Sequence, residues 1–371
     1  MSGIYRKRGH PRLVIDLFKL KNNINKVQNR CRDCGVEIAG VIKGCTGLIP
    51  CVEQFAKAGC RWIASSRLEQ LARVRNSGIQ TDLMMIRVPG LSEAEDVVRI
   101  CDYSLNSELV VLEELNRQAR EQDKLHKVIL MADIGDLREG FWDKEEMLRV
   151  AMMVEKDMKN LELAGVGTNV GCYGSVVATS EKLQELVDIA EDIENHIGRE
   201  LEIISGGATT SLMRVWDGDL PERINMLRVG EGILLARDLK EYFGYDMDEL
   251  FSDVFTLRAE VIEVKDKPSH PVGEIGIDAF GHQMEYEDRG IRRRALLALG
   301  KVDFGGSIDE LLPRMDGIEI LGASSDHTIL DIQDLVDRGG DLKVGDVVEF
   351  DLNYATMVYL TNSDNIEKAY I

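Results

Sequence analysis

No stretch of the chain approaches the ~18 consecutive apolar residues that a membrane-crossing helix needs. No apolar segment follows the polar, basic residues 1–12 either, so nothing there reads as a secretory signal. Basic residues are in deficit: 45 Lys and Arg stand against 65 Asp and Glu, a formal charge of −20. That balance argues against a nucleic-acid partner held on a broad basic face. The seven cysteines are odd in number and lack a secretory context, so reduced thiols in the cytoplasm are expected. Cys31 and Cys34 form a C-x-x-C pair, but no second pair follows at zinc spacing, and they read as structural thiols. No His and Cys cluster suits a metal, and no segment is repeated or of low complexity. What the chain does have is apolar side chain. It is 44% hydrophobic and 30% charged over 371 residues, enough for a folded core.

The strongest pattern is an alternation. Short aliphatic runs at Glu37–Lys43, Arg61–Ser66, Asp82–Val88, Tyr103–Ser107, Lys127–Asp133, Leu161–Gly167, Leu201–Gly207 and Asn225–Gly230 are separated by amphipathic helical stretches. The third of those helices is expected to open at Ser92, with Glu95 completing a capping box. Eight such alternations predict an α/β fold, a (β/α)8 TIM barrel, ahead of a doubly wound open sheet. The runs are continuously apolar, as strands buried on both faces should be. After about residue 245 the text changes to strands spaced by Gly, Pro and Asp, the last of them Thr356–Thr361. The expected domains are therefore a cofactor-binding barrel over 12–240 and an all-β domain over 241–371. A lone strand at Leu13–Asp16 would let residues 1–16 join the second.

Barrel enzymes place their chemistry where the strands end. Those ends carry Lys43, Ser65, Ser66, Arg87, Asn106, Asp133, Asn169, Ser205 to Gly207 and Arg228. Lys43 is the most informative. A lysine partly desolvated in a barrel mouth has a lowered pKa and a nucleophilic amine, as condensation with an aldehyde or ketone requires. Position alone leaves it open to being an ordinary strand-end lysine. The segment Ser205-Gly206-Gly207-Ala208-Thr209-Thr210 has the small residues and hydroxyls of an anion cradle. Arg228 to Gly232 forms its second half after the eighth strand. A lysine on one wall and a phosphate cradle on the other suggest pyridoxal phosphate.

These residues carry a family resemblance. The chain resembles the alanine racemase superfamily of barrel-type pyridoxal-phosphate enzymes over nearly its whole length. Val41-Ile42-Lys43 is similar to the family's lysine strand, and Asp133 to Gly140 to its D-x-G-x-x-R-x-G segment. Leu227 to Gly230 resembles its arginine and phosphate glycine, and Gly322 to Asp326 its β-domain segment. Gly135–Gly140, Thr168–Gly174, Ile204–Ser211, Gly273–Gly281, Gly290–Ala295 and Leu321–Asp331 together look most like the ornithine racemase branch. The resemblance implies that Lys43 carries the cofactor and moves a proton. It implies Arg228 facing the pyridine nitrogen, and Ser205, Gly206, Gly207, Thr209, Gly230 and Glu231 around the cofactor. Arg138, with Ser325, would hold the substrate. An arginine does not readily protonate a ring nitrogen, which weakens the electron sink and favours racemisation over decarboxylation. The family also implies a homodimer whose subunits complete each other's sites.

The departures are specific. The tyrosine four residues after the family's lysine is Gly47 here, its modified lysine is Met131, and its strand-six histidine is Asn169. The partner-supplied tyrosine that serves as second base falls near Ile275. Asp278 is the candidate for that role, with Cys172, Tyr173 and His282 as rivals. The expected activity is racemisation of a basic amino acid, ornithine first, with lysine or alanine as alternatives. Its side-chain amine would be read by Asp278, Asp136 or Glu139. A decarboxylase, an aldolase and a non-enzymatic cofactor carrier are the competing readings. Arg228, the lack of a metal cluster and the long β domain count against these in turn.

Overall fold

The apolar runs close into a barrel in the computed structural model, which describes residues 9–277, 280, 281, 283 and 285–371. After a first strand β1 (Arg12–Ile15), the barrel strands are β2 (Glu37–Val41), β3 (Trp62–Ser65), β4 (Asp82–Met85), β5 (Tyr103–Asn106), β6 (His126–Met131), β7 (Leu161–Gly167), β8 (Ile203–Ser205) and β9 (Met226–Val229). Each pairs in parallel with the next, and β9 returns to β2. Alternation sets the layers. Ala39, Val41, Trp62, Ala64, Tyr103, Leu105, Ile129 and Met131 pack in the interior with Ala164, Ile203 and Met226. Ile38, Ile63 and Val128, of opposite parity, are equally buried, which is why the runs are unbroken in apolarity. Gly165 is required by closeness: a Cβ there would stand 1.9 Å from the Ile203 carbonyl oxygen across β7 and β8.

The intervening helices follow their own signals. The longest, Ser180–Ile197, begins where Thr179 Oγ1 accepts from the Lys182 amide at 3.2 Å and ends on Gly198 at φ 76°. Its Leu183, Leu186, Val187, Ala190 and Ile193 fall on one buried stripe. Full burial of each leucine stabilises by roughly 2–3 kcal/mol. The capping box departs from expectation. A 3-10 turn at Leu91–Glu93 precedes the helix Ala94–Ile100, and Glu93, not Glu95, receives the Gly90 amide at 2.8 Å. Arg87 Nη2, donating to Glu93 at 2.6 Å, draws that carboxylate inward. Charge closes the end where the strands begin. Arg61 pairs with Glu202, and Lys127 Nζ with Glu202 at 2.8 Å and Glu162 at 3.2 Å. The opposite end is left for chemistry.

By its internal contacts the chain divides into residues 17–252 and residues 1–16 with 253–371. The sequence places the change at 240. The division lies further on because the helix Asp238–Phe243 stays with the barrel, its Leu239 buried and its first amide held by Glu231. In the second unit β1 pairs antiparallel with β10 (Phe255–Pro268) and parallel with the last strand. The remaining strands are β11 (Ile291–Leu297), β12 (Leu311–Pro313), β13 (Glu319–Ala323), β14 (Thr328–Asp331), β15 (Val347–Leu352) and β16 (Glu367–Tyr370). Their order is β12-β15-β10-β11-β14-β13. Thr356–Thr361, read as a strand, lies in the helix Tyr354–Asn362. Its buried residues are Thr356, Met357, Leu360 and Thr361, a helical spacing that a short apolar run does not reveal. Among the described residues no helix is long and apolar enough to cross a membrane.

Candidate active site

Parity carries Lys43 into the barrel mouth. It follows Val41 by two residues and so continues the inward side of β2. A turn closes behind it. The Thr46 amide donates to the Lys43 carbonyl and the Gly47 amide to the Ile42 carbonyl, each at 3.1 Å. Gly47 sits at φ +65°, and a Cβ there would stand 2.9 Å from the Gln70 Cβ. Gln70 is itself held by Ser65 Oγ at 2.7 Å, so this position has reason to be glycine where alanine racemases carry tyrosine. Burial pushes the Lys43 amine below the usual lysine range, and the Arg138 and Arg228 guanidiniums push the same way. Cys172 and Glu139 oppose them. A lysine so placed presents more neutral amine, the form that acts as nucleophile and base.

Arg228, on β9, is 4% exposed. It donates through Nη1 to Ser205 Oγ and through Nη2 to the Thr168 carbonyl at 2.7 Å. Among the described residues no carboxylate pairs with it. Burial draws its pKa down to about 10, and it remains a cation near neutral pH. Ser205 ends β8, and Gly206 and Gly207 follow. Gly207 sits at φ +113°, and a Cβ there would meet Ser211 Oγ at 2.5 Å. Thr209 Oγ1 accepts from the Gly232 amide at 3.2 Å, which draws the loops after β8 and β9 together. At Gly230 a Cβ would stand 3.2 Å from the Val41 Cβ, so this loop also borders β2. Lys43, Ser205 to Thr209 and Arg228 to Gly230 thus share one end of the barrel.

Glu231, expected among the cofactor residues, has one oxygen turned to its own chain. Oε1 accepts from the amides of Arg237 at 2.9 Å and Asp238 at 3.2 Å. Oε2 is buried without a partner among the described residues. Burial pushes this carboxyl up to about 7, and nearby Asp238, itself raised to about 6, adds to the effect. The folded chain therefore favours the protonated form. Its contribution to stability is complete below the ordinary value of 4.5 and is lost as pH rises through about 7. Glu231→Gln is neutral at every pH. It is expected to match the parent near pH 4.5 and to exceed it by about 3 kcal/mol above neutrality. Thermal melts at the two pH values check this. An unchanged difference between them would show that the Glu231 proton is not linked to folding.

The loop after β6 brings Arg138. Asp133 Oδ1 shapes that loop by accepting the amides of Gly135 at 2.8 Å and Leu137 at 3.1 Å. Arg138 donates through Nε and Nη2 to both carboxylate oxygens of Glu139, and through Nη1 to Cys172 Sγ at 2.8 Å. Asp136 is 1% exposed. Its carboxylate accepts the amides of Cys172 at 3.2 Å, Tyr173 at 3.0 Å and Val176 at 3.4 Å. Asp136 therefore fastens the loop after β7 to the loop after β6. It is one of the three candidates to read a substrate amine, and here three amides take its carboxylate. Gly174 permits the contact, since a Cβ there would lie 2.5 Å from the Asp136 carbonyl oxygen.

Met131 lies in the barrel interior, where Gly167 leaves it room: a Cβ there would be 3.2 Å from its Sδ. Sulfur thus stands where the family has a modified lysine. Asn106, a strand-end candidate, instead turns its amide to Ser104, at 2.9 Å from both Oγ and the carbonyl. Asn169 Nδ2 is buried without a partner among the described residues. Asp278 and His282 lie outside the described residues. Ser325, in the β unit, is exposed and donates to Asp326 Oδ2 at 2.5 Å. The Thr168 carbonyl, which holds Arg228, was not foreseen. A backbone acceptor carries no residue signature, and only its place just beyond β7 points to it.

The profile of the family described as Alanine racemase, N-terminal domain, matches residues 15–238. An ornithine racemase of Acetoanaerobium sticklandii is 40% identical over 359 residues, 97% of this chain and 99% of that protein. A lysine racemase of Thermotoga maritima is 39% identical over 361 residues, 97% and 98% of the two chains. The solved alanine racemase from D-cycloserine-producing Streptomyces lavendulae shares the fold, with a TM-score of 0.76 at 18% identity, covering 99% of this chain and 98% of its own. Profile, near-full-length relatives and barrel agree: the chain belongs to the alanine racemase family.

Proposed function

We propose that this amino acid racemase interconverts L- and D-ornithine with pyridoxal phosphate as its cofactor. The observation that carries the reading is a buried Lys43 of lowered basicity near a buried Arg228 whose acceptors among the described residues are neutral. These residues fit the cofactor. A cation without a carboxylate suits a ring nitrogen that keeps its lone pair. The Gly207 turn, the Thr209 hydroxyl and Gly230 suit its phosphate, and Lys43 suits its aldehyde. When bound, pyridoxal phosphate draws electron density from the substrate Cα, so that the proton there becomes removable.

Lys43 takes and returns the Cα proton on one face. Arg138 holds the α-carboxylate through its planar fork. Arg228 stays protonated and gives no proton to the ring, which favours proton return at Cα over loss of the carboxylate. Asp278 serves the other face, supplied by the second subunit of a cytoplasmic homodimer. The relatives named for ornithine and lysine, both amino acids with a side-chain ammonium, support a basic substrate. The test is racemisation of L-ornithine, L-lysine, L-norvaline and L-alanine followed by chiral chromatography. Ornithine is expected to exceed norvaline, its near-isostere without the amine, by at least about tenfold in kcat/KM, with alanine poor. Equal rates for ornithine and norvaline remove the basic substrate, and a faster lysine moves the assignment to lysine.

A further inference from the structure

One carboxylate in the barrel mouth is paired with the very group a substrate must claim. Glu139 occupies the Nε and Nη2 edge of Arg138, the edge that binds a carboxylate through two parallel hydrogen bonds. The Glu139 side chain is 20% exposed. It lies near enough to the Lys43 amine and the Arg228 guanidinium for its charge to favour the protonated form of each. Asp133 in this loop accepts the amides of Gly135 and Leu137, and Asp136 is held by three amides, so neither is free to meet a ligand.

A substrate α-carboxylate that takes this edge of Arg138 displaces Glu139 from it. The displaced anion is partly desolvated and needs a cation, since an unpaired charge in such a place is unfavourable. An amino acid with an apolar side chain supplies none. One with a distal ammonium does. We propose that Glu139 reads the side-chain ammonium of the substrate, and that binding exchanges the Arg138–Glu139 pair for two pairs, Arg138 with the α-carboxylate and Glu139 with the ammonium. This rests on the reading of the protein as a racemase of a basic amino acid. The exchange keeps every charge paired for ornithine and strands Glu139 for norvaline. Specificity then comes as much from rejecting the neutral side chain as from attracting the charged one.

The test uses the holoenzyme and Glu139→Gln. Racemisation of L-ornithine and L-norvaline is measured beside calorimetric binding of α-methylornithine and α-methylnorvaline, which lack a Cα proton and are not racemised. Glu139→Gln is expected to lower kcat/KM for ornithine by at least about tenfold and to leave norvaline unchanged or faster. Affinity for α-methylornithine should weaken by a similar factor, while α-methylnorvaline holds or tightens. Equal losses for both substrates would show that Glu139 only positions Arg138, and no change for either would remove it from the site. If the parent enzyme itself does not distinguish ornithine from norvaline, the substrate reading fails first. Glu139→Asp is read in the same way, should Glu139→Gln melt early. A shortened carboxylate must weaken ornithine more than norvaline, and equal losses overturn the proposal.

Discussion

Lys43→Met is expected to lower racemase kcat by at least about a thousandfold, because one change removes the cofactor's tether and a proton carrier together. Methionine keeps most of the length of the side chain and drops its charge. The absorbance of bound pyridoxal phosphate should fade on dialysis of the variant and persist in the parent. Stability should move the other way. The folded pKa of Lys43 is depressed below the ordinary 10.5, chiefly by burial and then by Arg138. Its favourable contribution is present above 10.5 and is lost as pH falls through the folded value, so near neutrality the buried side chain costs the fold stability. The cofactor-free variant should therefore melt at or above the temperature of the cofactor-free parent near neutral pH, and the gap should close toward alkaline pH. Retention of more than a few per cent of parental activity would remove Lys43 from the chemistry. A large drop in melting temperature would mean that the lysine supports structure instead.

The barrel was legible because each strand is buried on both faces and each helix on one, so two different periodicities alternate along the chain. Lys43 and Arg228 were legible for a related reason: each is a cation at the end of an apolar run, where parity points it inward. The helix Tyr354–Asn362 was not, since its run of β-branched and apolar residues fits either period over so short a length. The fate of the acids in the loop after β6 was hidden as well. Asp136 and Glu139 are three residues apart and look alike in sequence. One turns to backbone amides and the other to Arg138, and that choice is made by how the loop after β7 folds across them. The pairing of Glu93 with Gly90 was hidden by a nearer contact, since Arg87, six residues earlier, holds the same carboxylate.

Asp136→Asn is expected to loosen the site without unfolding the barrel. The carboxylate accepts three amides, from Cys172, Tyr173 and Val176, in a place that is 1% exposed. Asparagine keeps the shape but turns an NH2 group toward amides that need an acceptor. The loss should be about 2–4 kcal/mol, the range of charge-assisted bonds replaced by a buried mismatch. It should fall mainly on local opening, because the strands beneath have their own core. Hydrogen exchange at those three amides should accelerate by about a hundredfold or more, with the amides of β6 and β7 little changed. Catalysis should follow the loop. Arg138 rests against Cys172, so kcat/KM should drop by about a hundredfold as the carboxylate fork loses its orientation. A drop in kcat/KM with no change in exchange would contradict the anchoring role. It would return Asp136 to direct contact with the substrate amine, and a buried carboxylate would then have to leave three backbone donors each time a substrate bound.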